Sequence, residues 1–122
     1  MNRPPISRDF AERFVEEWIA AWNAHDLPRI LSHYEEDFEM ASPRIVEIAG
    51  ESSGVLRGKA SVGAYWEKAL RLIPDLRFEK LAVFVGARSI ALHYRNQAGR
   101  LAVETFEIGE TGRVVRAAAN YL

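Results

Sequence analysis

The segment from His93 to Leu122 constrains the chain more than any other. It reads H-Y-R-N-Q-A-G-R-L-A-V-E-T-F-E-I, then G-E-T-G-R, then V-V-R-A-A-A-N-Y-L. Alternating apolar residues interrupted by two Gly-containing turns predict three extended runs, Ser89 to Asn96, Leu101 to Ile108 and Val114 to Tyr121, joined as hairpins. Glu104 lies in the middle of the central run, among apolar neighbours. A lone carboxylate in such a place either faces solvent or occupies a cavity, because an unpaired charge in a packed core is costly.

The residues before it alternate between helical and extended periodicity. Met1 to Ile6, with Pro4 and Pro5, reads as a mobile lead-in. Ser7 is placed to cap a helix whose apolar stripe is Phe10, Phe14, Val15, Trp18, Ile19 and Trp22. Asn23 to Asp26 breaks it. Asp26 and Pro28 then open a short second helix with Ile30, Leu31 and Tyr34 inward, ending near Glu35-Glu36-Asp37. Phe38 to Ser42 alternates as a strand pointing Phe38, Met40 and Ser42 one way, and Pro43 stops it. Arg44 to Ala49 is expected as another short strand, followed by a Gly/Ser loop from Gly50 to Gly54. A third helix from Lys59 to about Ile73 places Val62, Tyr65, Trp66, Ala69, Leu70 and Ile73 inward, and Pro74 ends it. Arg77 to Val85 reads as a strand paired through Gly86-Ala87-Arg88 with the next. Helices followed by hairpin-linked strands make an α+β domain, and a curved, largely antiparallel sheet over a long helix would enclose a cavity.

Composition narrows the function classes. A chain of 122 residues is one ordinary domain. Sixteen basic and seventeen acidic residues give a net charge of -1, without the basic footprint of a nucleic-acid or anionic-membrane partner. No apolar run approaches the roughly 20 residues of a membrane span, and no signal-peptide pattern precedes Ser7. Zero cysteines excludes disulfides and thiolate chemistry and fits a reducing cytoplasm. His25 and His33 have no ligand partner at metal-binding spacing, so no metal site is expected. Gly54-x-x-x-Gly58-Lys59 is no phosphate loop, since Ala60 stands where Ser or Thr is required and the glycine spacing is wrong.

Several short pieces together carry a family pattern: W-N-A-H-D-L at 22–27, Y-E-E-D-F at 34–38, S-P at 42–43, R-G-K-A at 57–60, A-Y-W at 64–66, P-D-L-R-F at 74–78 and G-E-T-G-R-V-V at 109–115. The chain resembles the NTF2-like superfamily, and within it the SnoaL-like group of polyketide cyclases and ketosteroid isomerase-like proteins. The resemblance implies a cone-shaped α+β barrel, a curved sheet wrapped around three helices, and a pocket between the first helix and the concave sheet. It also implies cofactor-independent chemistry and a homodimer through the outer sheet face. Relatives include isomerases, cyclases, dehydratases, epoxide hydrolases and non-catalytic binding domains, so fold is better specified than function.

Transferred residue by residue, most of the isomerase groups are replaced. Trp18 takes the place of the oxyanion tyrosine, Ser42 that of the proton-moving aspartate, and Trp66 that of a supporting tyrosine. Glu104 takes the place of the neutral oxyanion acid. The Asp-Arg-Asp trio of epoxide hydrolases is missing, with Ala119 at the last aspartate's place. Tight two-residue pairing at Ala98-Gly99 would set Glu104 directly opposite His93, as a candidate catalytic acid/base pair. Ala102, Phe106 and Ile108 share that face by alternation. Trp18, Trp22, Met40, Ser42, Trp66, Phe106 and Tyr121 are expected to shape the pocket around an apolar carbonyl compound. Ile90, Leu92, Tyr94, Val103 and Thr105 are expected on the outer face, with Arg116, Ala118 and Asn120. Two readings stay open: acid/base catalysis, or ligand binding or dimerisation without chemistry.

Overall fold

The computed structural model describes residues 3–122, and the order of elements follows the sequence closely. Helix α1 (Arg8–Asn23) starts where the Ser7 hydroxyl accepts the Phe10 N–H, and it buries Phe14, Val15, Trp18 and Trp22 along one face. A short α2 (Leu27–Leu31) is capped by Asp26. Tyr34 does not close that helix as expected; it begins strand β1 (Tyr34–Ala41), fully buried. Of the expected mobile lead-in, Met1 and Asn2 lie outside the described residues. Arg3 to Ile6 are tied down: Arg88 donates to the Arg3 and Pro4 carbonyls, and the Ile6 N–H bonds Ala87 O.

The segment 44–49, expected as a strand, belongs to helix α3 (Pro43–Ala49). Ser42 caps it, its hydroxyl accepting the Arg44 N–H at 3.1 Å, and Pro43 sits at the first helical position. The helix buries Ile45 and Ile48, a three-residue spacing that alternation cannot satisfy. Strand β2 (Val55–Arg57) and helix α4 (Lys59–Leu72) follow, then the long strands β3 (Glu79–Val85), β4 (Ser89–Arg95), β5 (Leu101–Ile108) and β6 (Val114–Tyr121).

The six strands form one open sheet in the order β2-β1-β6-β5-β4-β3, with only β1 and β6 parallel. Register irregularities interrupt β1, the β3–β4 pair and the β5–β6 pair, and such bulges bend a sheet toward one side. Helices α1 and α4 occupy the concave side, where Trp18 packs against Phe78, Tyr94 and Phe106, and Trp66 against Trp22, Tyr34 and Phe38.

One expectation fails by a single residue. Leu92 pairs with Glu104, and His93 pairs with Val103. The β4–β5 loop holds three residues between Asn96 and Arg100 rather than two. Asn96 Oδ1 accepts the N–H groups of Ala98 and Arg100, while Gly99 adopts φ 82°, the left-handed geometry that three-residue hairpins need. The slip turns β4 over. Ile90, Leu92 and Tyr94 are buried on the concave side, and His93 lies on the outer face with Ala91 and Val103. No atom lies within 4 Å of a methyl group added to Gly99, so its replacement tests backbone geometry alone. Gly99→Ala is expected to cost about 1 kcal/mol, read as a lower midpoint in urea denaturation; an unchanged midpoint would contradict this account of the loop.

Candidate functional site

Between α1, α4, the start of α3 and the concave sheet lies a narrow, partly open cavity of about 60 Å³. That is well below the ~150 Å³ of a dry cavity that takes benzene. Trp18, Trp22, Met40, Ser42, Trp66 and Tyr121 line it. Phe106 does not. It is wholly buried beneath the cavity, edge-on to Phe14 and Trp18. Sequence reasoning missed Tyr65, Tyr94, Arg44 and Phe78, all of which line the cavity, as well as Asn96 and Gln97 from the β4–β5 loop. Tyr94 was legible only through the register. Arg44 required recognition of α3 as a helix.

Glu104 reaches the cavity from the middle of β5 and is 4% exposed. Its partner is not His93, which stands across the sheet beside Leu101, Val103 and Leu122 in a shallow surface hollow. Alternation puts neighbouring residues on opposite faces, so the shifted hairpin exchanges His93 for Tyr94. The Tyr94 hydroxyl donates to Glu104 Oε1 at 3.3 Å. Among the described residues it is the carboxyl's one hydrogen-bond partner.

Burial pushes Glu104 up to about 7, and the Tyr94 hydroxyl opposes part of that rise. Burial also raises the phenols of Tyr65, Tyr94 and Tyr121. The negative charge of Glu104 adds to each of these rises, while Arg44 and the Ser42 hydroxyl counter them at Tyr65 and Tyr121. These three phenols therefore stay neutral and can donate. Arg100 stacks on the Tyr121 ring at 4.8 Å and holds it from outside.

Trp18, at the place of the isomerase tyrosine, gives its indole N–H to the Tyr34 hydroxyl at 2.9 Å. That donor is consumed inside the core. Trp22 differs: it is 5% exposed, and its Nε1 has no hydrogen-bond partner among the described residues. The Arg44 Nε is likewise buried without one. Glu104 is the sole carboxylate among the lining residues, and no histidine joins it. No group of three or more His, Asp or Glu side chains gathers at metal-binding geometry among the described residues. None of the described helices is long and apolar enough to cross a membrane.

A raised carboxyl has a definite stability signature. The folded state holds its proton to about pH 7, whereas the unfolded chain releases it near 4.5. Stability from the neutral form is therefore full below about pH 4.5 and declines until the folded value is passed. Glu104→Gln removes that titration. Its melting temperature relative to wild type is expected to rise by several degrees between pH 5 and pH 8. A difference that stays constant across this range would exclude a neutral buried carboxyl.

A family model described as a SnoaL-like domain matches residues 15–120. No curated protein matches the chain. A SnoaL-like protein of unknown function from Burkholderia thailandensis is 60% identical, with a TM-score of 0.93 over 97% of this chain and 98% of that one. An NTF2-like protein of unknown function from Cytophaga hutchinsonii superposes with a TM-score of 0.71 at 18% identity, over 100% and 95% of the two chains. The epoxide hydrolase/cyclase-like enzyme SalBIII, from pyran ring formation in polyether salinomycin, gives 0.72 at 15% identity over 95% and 93%. These last two share the fold. With the family pattern spanning both the helices and the sheet that build the cavity, the chain belongs to the SnoaL-like domain family.

Proposed function

We propose that the cavity takes a small, apolar carbonyl compound and that Glu104 exchanges a proton with it, without a cofactor. One observation carries this reading: a carboxyl poised near pH 7 in a cavity, with one oxygen held by Tyr94. A group that titrates near the working pH is populated in both forms and can take and return the same proton. Ionised Glu104 would accept a proton from the carbon beside the carbonyl. The oxyanion that forms would find neutral hydroxyl donors in Tyr65, Tyr121 and Ser42. Return of the proton to another carbon completes an isomerisation. The cavity's volume limits the enclosed part of the compound to a few non-hydrogen atoms.

A second reading, binding without chemistry, is favoured by one feature. Trp18 has no donor left to offer, so only Glu104 remains from the isomerase set. Proton exchange separates the two. In D2O, the wild type is expected to catalyse deuterium uptake beside the carbonyl of a small ketone such as cyclopentanone, followed by NMR. Glu104→Gln should slow it about 10²–10⁴-fold. Tyr94→Phe removes the hydroxyl that favours the ionised carboxylate, so the pH midpoint of the reaction should move upward from about 7. Uptake undiminished in Glu104→Gln rejects the catalytic role; bound ketone with no uptake establishes the binding reading.

We also propose that a second copy covers the outer sheet face. There Phe84 and Val103, 57% and 37% exposed, lie with Ala91, His93 and Ala118 on an uncovered sheet. A twofold-symmetric partner buries such a face with the same face. Light scattering should give a dimer that Val103→Glu dissociates; a monomer at high micromolar concentration counts against it. The cysteine-free chain suits a cytoplasmic location, which cell fractionation would test.

A further inference from the structure

We infer that Asn23 and His25 are positioning residues: they clamp the Leu76–Phe78 segment to the end of α1 and so fix the cavity wall that packs on Tyr94 and keeps water from Glu104. This inference rests on the reading of Glu104 as the cavity's proton-exchanging group and names what holds that group in its state.

Two family motifs far apart in sequence, W-N-A-H-D-L at 22–27 and P-D-L-R-F at 74–78, meet in space. Residues 76–78 link α4 to β3 without a ladder of their own, so their backbone groups need other partners. Asn23 supplies two. Its Oδ1 accepts the Phe78 N–H at 2.7 Å, and its Nδ2 donates to the Phe78 carbonyl at 3.0 Å. The side-chain amide thus pairs with Phe78 as a neighbouring strand would. His25 supplies a third bond. Its Nε2 carries a proton, because a carbonyl only accepts, and donates to Leu76 O at 2.9 Å.

His25 makes this bond from a position that glycine fills more easily. The His25 N–H bonds Trp22 O and the Asp26 N–H bonds Ala21 O, the pattern that ends a helix on a left-handed residue. His25 has φ 55°, and among the described residues it is the one non-glycine with positive φ. A side chain kept at such a site points to a role beyond ending the helix.

The clamped segment is a wall of the cavity. Leu76 and Phe78 line it, whereas Asn23 and His25 do not. The Phe78 ring stacks on Trp18 and lies 4.6 Å from the Tyr94 ring, whose hydroxyl bonds Glu104. Releasing the segment leaves the Phe78 N–H and carbonyl unpaired, and water that solvates them enters beside the ring. Burial keeps Glu104 protonated, so hydration lowers its midpoint toward 4.5. The other titratable groups facing it are Tyr34 from β1, Tyr65 from α4, and Tyr94 and Tyr121 from β4 and β6. Arg44 from α3 lines the same cavity, and α1 contributes Trp18 and Trp22 but no charge.

Carbon-13 NMR of the glutamate carboxyls reads Glu104 directly, its resonance identified by its loss in Glu104→Gln. Wild type is expected to titrate with a midpoint of about 7. Asn23→Ala should lower that midpoint by about one pH unit or more, toward 4.5. His25→Gly suits the left-handed backbone and loses the Leu76 bond, so it should lower the midpoint with little change in melting temperature; it serves if Asn23→Ala does not fold. Ser7→Ala removes the cap at the far end of α1 and should lower the melting temperature while the midpoint stays at the wild-type value. A midpoint unmoved in either folded clamp variant, or moved as far in Ser7→Ala, would overturn the inference. So would a wild-type midpoint near 4.5. An unmoved midpoint with Glu104-dependent deuterium uptake intact rejects the clamp and keeps the acid/base reading. A midpoint that follows Asn23 while uptake ignores Glu104→Gln does the reverse.

Discussion

The register between β4 and β5 is held at the loop from Asn96 to Arg100, and the concave face depends on it. Asn96 Oδ1 satisfies two backbone N–H groups there, and Gly99 supplies the left-handed turn. The loop agrees with burial, which is the stronger of the two forces. Fully burying an Ile or Leu side chain contributes about 1.5–3 kcal/mol, so a register that exposed Ile90 and Leu92 would cost several kcal/mol. A turn preference is worth about 1 kcal/mol. Burial therefore decides the register, and the loop is chosen to fit it.

From that register the electrostatics of the cavity follow. Tyr94 is brought in beside Glu104, and His93 is carried out. A histidine opposite the carboxyl would have held it ionised; a phenol does so only in part, and burial prevails. The result is a carboxyl whose neutral form is favoured through mildly acidic conditions and whose ionised form is reached near neutrality. This arrangement weakens the fold as pH rises, which is the usual conflict between a functional buried acid and stability.

The aromatic stripe of α1 divides along its length. Phe14 and Trp18 pack on Phe106 and serve the core, with the Trp18 N–H closed off by Tyr34. One turn later, Trp22 packs on Trp66 and Phe78, and its buried N–H has no hydrogen-bond partner among the described residues. The same residue type is thus hydrogen-bonded at one turn and unpaired at the next. Position along the helix relative to the sheet makes the difference.

Much of the fold was legible in the residues alone. The helical spacing of Phe14, Trp18 and Trp22, the caps at Ser7 and Asp26, and the strand containing Glu104 all stand in the structure as read. Local physics suffices there, because periodicity and capping involve neighbours in sequence. On β6, Ala117, Ala119 and Tyr121 stand beside Phe106, Glu104 and Ala102. What the chain could not settle locally was the face of β4, the helix at Pro43–Ala49 and the orphaned donors of Trp22 and Arg44. Both Ile90-Leu92-Tyr94 and Ala91-His93 alternate well enough to face a core, so burial against the distant helices chose between them. An unpaired N–H is a property of surroundings drawn from distant segments. By itself the sequence determined an α+β domain with a carboxylate at the centre of a strand; the tertiary structure alone decided that Tyr94, and not His93, shares its cavity.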